Sequence, residues 1–264
     1  MIYTCYDMVR DCRAGRPEGW SYFISNYVPV IRRILARYRP SAGDRYTAPV
    51  LLALREPQSN LFGSLEPTPE RSFVAELRQE ALAAMETWEP TPTPEIAVDL
   101  ETLDAALEPL TVVEKQTVWL ETMGYPPPVT GPMLRMEPRT VEKIRERAAE
   151  LIRGKADAWR RTLLLDNGPQ LGRAAAAAAT KECLPAKAFL DILDGRTTWR
   201  GREEMERHVS HCWHCVDHYC RMVEVLELLR GVAPLPDAEA GELRKLLGIE
   251  AEKRPAWKRL FGRA

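Results

Sequence analysis

The chain has 264 residues, 45% hydrophobic and 28% charged, the make-up of a folded globular protein of about two domains. No apolar run approaches the ~18 residues of a membrane span, so no membrane partner is expected, and the opening Met1-Ile2-Tyr3-Thr4-Cys5-Tyr6-Asp7 lacks the basic-then-apolar build of a secretory signal. A cytoplasmic location follows as the expectation, and thiols there stay reduced, so the six cysteines read as metal ligands or core residues rather than as a disulfide framework.

A net charge of −1 hides an uneven distribution. Residues 10–45 hold eight arginines against three acids, residues 60–108 two arginines against eleven acids, and residues 135–161 nine Lys/Arg against five acids. Two basic stretches flanking an acidic one suit a polyanion touched at two places, or simply solvated helix faces.

In chain order, Gly15, Pro17 and Gly19 break an otherwise helical stretch over 3–39. After them Trp20, Phe23, Ile24, Tyr27, Val30, Ile31, Ile34, Leu35 and Tyr38 recur at 3- and 4-residue steps, the mark of one buried helix face. Pro29 is expected to bend or divide that helix. Residues 46–57 and 70–88 give two further helices, the latter through Phe73, Leu77, Leu82 and Met85. Glu89-Pro90-Thr91-Pro92-Thr93-Pro94 reads as a linker. Helical periodicity resumes over 95–122, and Gly124 with Pro126-Pro127-Pro128 marks a turn. A helix then opens at Glu137-Pro138, with Pro early where its missing N–H does no harm, and buries Val141, Ile144, Ala148, Leu151 and Ile152. Residues 166–180, with Asp166-Asn167-Gly168-Pro169 and an alanine run, read as a second linker of partly helical character. The Cys/His stretch covers 183–232, and an amphipathic piece runs from Ala238 to Phe261. No segment reads as a strand, so the expected fold class is all-α.

The densest chemistry is His208-Val209-Ser210-His211-Cys212-Trp213-His214-Cys215. His208 and Cys212 are four apart and share a helix face; Cys215 follows by three. Zinc takes four nitrogen or sulfur donors, and Cys183, from another helix, supplies the fourth. Four protein ligands leave no open position, which is the signature of structural Zn2+. Such a staple also explains how ~50 residues stay folded. His211, His214, His218 and Cys220 compete for ligand roles, and Cys220 otherwise reads as a core thiol.

Two resemblances follow. Cys183 through the Asp194-Gly195 turn, then Glu203 through Cys215 with its His-x3-Cys-x2-Cys spacing, resembles the zinc-binding anti-sigma domain over 183–232. That resemblance implies a small helical module that binds a sigma factor and answers redox or other signals. Leu103 to Leu120 and Glu137 to Ala148, with the Thr140-Val141 step, resemble the helix-turn-helix domain of extracytoplasmic-function sigma factors. More loosely, Val9 to Tyr38 and Phe73 to Arg78 resemble the polymerase-binding domain of the same family. The implied organisation is a sigma-like helical domain over 1–89, a helix-turn-helix-like domain over 95–162, a linker over 163–182, the zinc module over 183–232 and an amphipathic tail over 233–264. A recognition helix places its N-terminal residues at base edges, which implies Arg139, Thr140 and Lys143 there and Arg145 and Arg147 on phosphates. The implied partners are core RNA polymerase, promoter DNA and a separate regulatory protein. The implied function is a non-enzymatic transcription regulator whose zinc module acts in cis. The alternatives are a scaffold that binds protein rather than DNA, favoured by the acidic 60–108 segment, and a zinc enzyme. The enzyme would need an open coordination position and a nearby acid or base such as Glu203, Glu204, Glu206 or Asp217.

Overall fold

Several helices begin on a side chain that accepts the first orphan backbone N–H groups. Thr4 accepts from Asp7, Asp99 from Thr102, Thr111 from Glu114 and Thr198 from Gly201. In the computed structural model, which describes residues 3–39, 43–56, 59–63, 69–153 and 163–249, the described residues form thirteen α-helices and no strand. The fold is all-α. No helix among the described residues is long and apolar enough to cross a membrane. The expected tail residues Trp257, Leu260 and Phe261 lie outside the described residues.

The chain divides into two compact units, one of residues 1–88 with 231–264 and one of residues 89–230. In the first, α1 (Cys5–Arg13), α2 (Pro17–Tyr38), α3 (Thr47–Arg55) and α4 (Glu70–Trp88) surround an aromatic core. Phe23 stacks on Tyr27, and Phe73 meets Tyr27 edge-on with ring centroids 5.0 Å apart. The Tyr27 hydroxyl donates to Glu70 at 2.9 Å, so the buried ring keeps its polar end satisfied. Helix α2 runs on through Pro29 where a division was one expectation. Residues 231–249, with α13 (Asp237–Leu246), pack onto α2 and belong to this unit.

The second unit holds α5 (Leu100–Leu107), α6 (Val112–Thr122), α7 (Pro127–Leu134), α8 (Pro138–Arg153), α9 (Leu163–Ala177), α10 (Ala186–Leu193), α11 (Trp199–Val209) and α12 (Trp213–Leu229). The helical periodicity over 95–122 resolves into two helices, α5 and α6. Pro109 has no N–H to carry the ladder, and Thr111 with Glu114 forms a reciprocal cap that starts α6 afresh. The proline-rich stretch expected as a turn forms α7. Pro127 and Pro128 occupy the first helical positions, whose N–H groups have no intrahelical partner anyway.

The expected linker over 163–182 is largely helix α9, packed on α5, α6 and α12. Its tertiary contacts override the turn-like Asp166-Asn167-Gly168-Pro169. Buried Asn167 accepts the Val98 N–H at 2.7 Å and donates to the Ile96 carbonyl at 2.8 Å, pinning the segment that leads into α5. A Cβ on Gly168 would lie 2.0 Å from the Thr122 carbonyl oxygen, so only glycine permits this approach of α9 to the end of α6.

Candidate metal centre

Cys183 lies in the turn after α9, His208 in the last turn of α11, Cys212 at the cap of α12 and Cys215 in its first turn. The corner at Ser210-His211 folds the two helices together and turns sequence neighbours into spatial ones. The structure brings all four together: their ligand atoms lie within 4.8 Å of one another. Cys183 Sγ and Cys212 Sγ are 3.7 Å apart. Backbone N–H groups serve the sulfurs, from Thr180 to Cys183 at 3.2 Å and from Leu184 to Cys215 at 3.5 Å.

Electrostatics separate the three thiols. At Cys183 burial pushes upward, but the Thr180 N–H and hydroxyl, with the Cys212 and Cys215 thiols, outweigh it and hold this thiol below its ordinary range. Burial raises Cys212 and pushes Cys215 up to about 12. The His208 Nε2 atom is buried and meets no hydrogen-bond partner. A buried polar atom left so costs roughly 1–3 kcal/mol, and a cation held by the three sulfurs satisfies it. The donor set therefore fits a metal ion.

The competing residues stand elsewhere. His211 is exposed beside Asp104, Lys115 and Ser210. His214 Nδ1 lies 3.2 Å from the Ala175 carbonyl, His218 packs on the Phe189 ring at 5.0 Å, and Cys220 is buried with its thiol on the Gln116 carbonyl at 3.7 Å.

Helix α12 continues from the cluster across α6, α7 and α9. Along it, buried Asp217 accepts the Trp119 indole N–H at 3.0 Å and pairs with Arg221 at 2.6 Å. Fully buried Glu224 accepts the Tyr125 hydroxyl at 2.7 Å. Beside the cluster, Lys115 donates to the Ser210 carbonyl at 3.0 Å, the Trp213 indole donates to Asp104 at 2.6 Å, and the Trp119 and Trp213 rings meet at 5.3 Å. Met222, Val223 and Val225 are buried on the same helix. The sequence carries little sign of the polar pairs on this helix. An acid four residues before Arg221, at Asp217, was the one local signal.

On α8, Arg139, Thr140 and Lys143 are exposed at the N-terminal end. Arg145 pairs with Glu121 at 2.6 Å and Arg147 with Glu114 at 2.8 Å, both acids on α6. Of the five residues expected at DNA, Arg145 and the exposed Arg147 are thus paired with acids of α6, while Arg139, Thr140 and Lys143 lie exposed toward the start of α8.

Comparison of the chain with protein-family models, with curated proteins and with solved structures finds no match in any of the three.

Proposed function

We propose that the chain is a transcription regulator of extracytoplasmic-function sigma type whose zinc module restrains its own helix-turn-helix-like part. The observation that carries this reading is the seat of α12 on α6, α7 and α9 through the Asp217–Trp119 and Glu224–Tyr125 contacts. A module built to bind a separate sigma-like surface would meet such a surface here within one chain. The exposed first turn of α8 suits the reading too: the module covers α6 and α7 and leaves the base-reading end of α8 open, so restraint acts on protein binding rather than on the DNA face.

Zn2+ is the proposed metal. Two thiolates bound at ~2.3 Å to one tetrahedral ion stand roughly 3.8 Å apart, close to the 3.7 Å between Cys183 and Cys212. Three sulfurs and one imidazole nitrogen form a closed set, suited to holding structure together rather than to activating water. When bound, the metal would supply folding free energy to α10 and α11, which bury only Phe189, Leu190, Met205 and Val209. Cys183, His208, Cys212 and Cys215 hold it, and Thr180 and Leu184 orient the sulfurs.

The ion pairs of Arg145 and Arg147 favour a second reading, in which α8 serves a protein partner rather than DNA. Purified full-length chain, mixed with core RNA polymerase and with promoter fragments at low and high salt, tests both. The first reading expects polymerase retention together with DNA binding that falls steeply with salt and with Arg139→Ala or Lys143→Ala. Polymerase retention without DNA binding supports the scaffold, and retention of neither contradicts the sigma-type reading.

A further inference from the structure

Pro29 sits inside α2, and a proline has no N–H to give the carbonyl four residues back. The Ser25 carbonyl therefore lacks its intrahelical donor. In this fold the Leu235 N–H donates to it at 2.7 Å. Leu235 stands between Pro234 and Pro236, so it is the one backbone donor in that tripeptide. This single donor meets the single orphaned acceptor, which fixes the register of everything that follows. Three residues are then clamped by arginines of the same unit. Arg32 pairs with Glu239 in the first turn of α13, Arg55 donates to the Leu247 carbonyl, and Arg33 reaches the Gly231 carbonyl at 3.5 Å.

The seat is shallow. Within α13 only Ala240 is buried, and Leu246 is half exposed; Leu235, Leu247 and Ile249 anchor the two ends. Helix α2 itself buries ten residues. The lead-in at Gly231, with φ +61°, and the exposed Ala233 and Pro234 add little that would hold it.

From these contacts we infer that the Pro29 face of α2 is a peptide-docking surface, occupied in cis by residues 231–249 as a detachable strap. Its ligand chemistry is an extended residue with an unused N–H, followed by a helix carrying an acid in its first turn. The surface selects this by one backbone acceptor and two arginines, Arg32 and Arg55. An element with few buried contacts opens at lower free energy than the core it covers, so the strap leaves while the α1–α4 bundle stays folded. This inference is independent of the sigma-type reading, since it needs neither polymerase nor metal.

Amide hydrogen exchange on the full chain tests it. In the unmodified protein, residues 237–249 should exchange well before the core of α2. Pro29→Ala gives Ser25 an intrahelical N–H and opposes that of Leu235. It should therefore speed exchange over 237–249 about five- to tenfold, the loss of roughly one hydrogen bond, while α2 is unchanged or better protected. A merely structural Pro29 would move both in the same direction, and that result overturns the proposal. Glu239→Gln, which cannot touch the α2 ladder, should also speed residues 237–249 alone. Exchange of 237–249 in step with α2 in all three proteins would show an integral core helix. A dimer in native mass spectra of the unmodified chain, with the strap delivered by a second copy, would overturn occupation in cis.

Discussion

Helices α12 and α13 follow one another along the chain, yet they are seated by different physics. Helix α12 buries two carboxylates, Asp217 and Glu224, each on a donor from residues 119–125. Helix α13 buries one alanine and is held at its ends by surface arginines. A buried carboxylate tolerates few alternative positions, because any shift leaves it desolvated and unpaired. Shallow apolar contacts with rim charges carry no such penalty. The contrast assigns α12 to a seat of one geometry, left only when its module melts, and α13 to one that exchanges.

The largest effect expected along α12 comes from its start. Cys212→Ala or Cys215→Ala should reduce bound zinc from about one per chain to near none and unfold residues 183–230. Structural zinc contributes roughly 10–16 kcal/mol in small modules, as much as a whole domain's net stability of about 5–15 kcal/mol. Metal analysis with circular dichroism reads this out, and full helicity without metal would remove the cluster's role. His208→Ala should do more damage than His211→Ala, whose ring stands outside the cluster.

Next comes the polar seat itself. Asp217→Ala strands the Trp119 indole N–H and the Arg221 guanidinium, and should cost about 3 kcal/mol in urea unfolding. A loss below about 0.5 kcal/mol, the level of an ordinary surface change, would erase the distinction from α13. Gly168→Ala should cost about 1–3 kcal/mol, since the added methyl meets the Thr122 backbone rather than a flexible side chain.

The smallest effect is a pH dependence. Burial, followed by the neighbouring His214 charge, holds His218 below the ordinary histidine range. Its folded value lies below its unfolded one, so the unfolded chain takes the proton first. The resulting stability is whole above about pH 6.5 and is lost as pH falls below that. His218→Gln should flatten this part of the stability–pH curve, and an unchanged slope would assign it to other groups.

What the sequence made legible follows the range of the interactions. His208, Cys212 and Cys215 announce themselves through i, i+4 and i+3 spacing, which local geometry converts directly into a cluster, and Cys183 completes the donor count. The helices of the first unit follow from apolar periodicity. Helix α7 is hidden because prolines ordinarily break helices, although Pro127 and Pro128 fall where no N–H is required. The alanine run announces the helical character of α9, but its extent and packing are not legible, because Asn167 and Gly168 answer to Ile96, Val98 and Thr122, which no local pattern reveals. The acids of α12 were illegible for the same reason: Trp119 and Tyr125 lie nearly a hundred residues away. The same distance matters for dissection, since a cut near residue 165 would remove α9 from the flank of α6 along with the module. Point changes and metal removal separate the two effects.

On the proposed reading, the metal module restrains the sigma-like part of its own chain. The affinity of the full-length chain for core RNA polymerase, measured with Zn2+ bound and again after chelation, tests it most directly. If the metal holds the module together, chelation should melt the seat of α12 and tighten polymerase binding by about tenfold or more, since a tethered competitor acts at an effective concentration in the millimolar range. Equal affinity in the two states would contradict the restraint, and weaker binding after chelation would make the module a docking element instead.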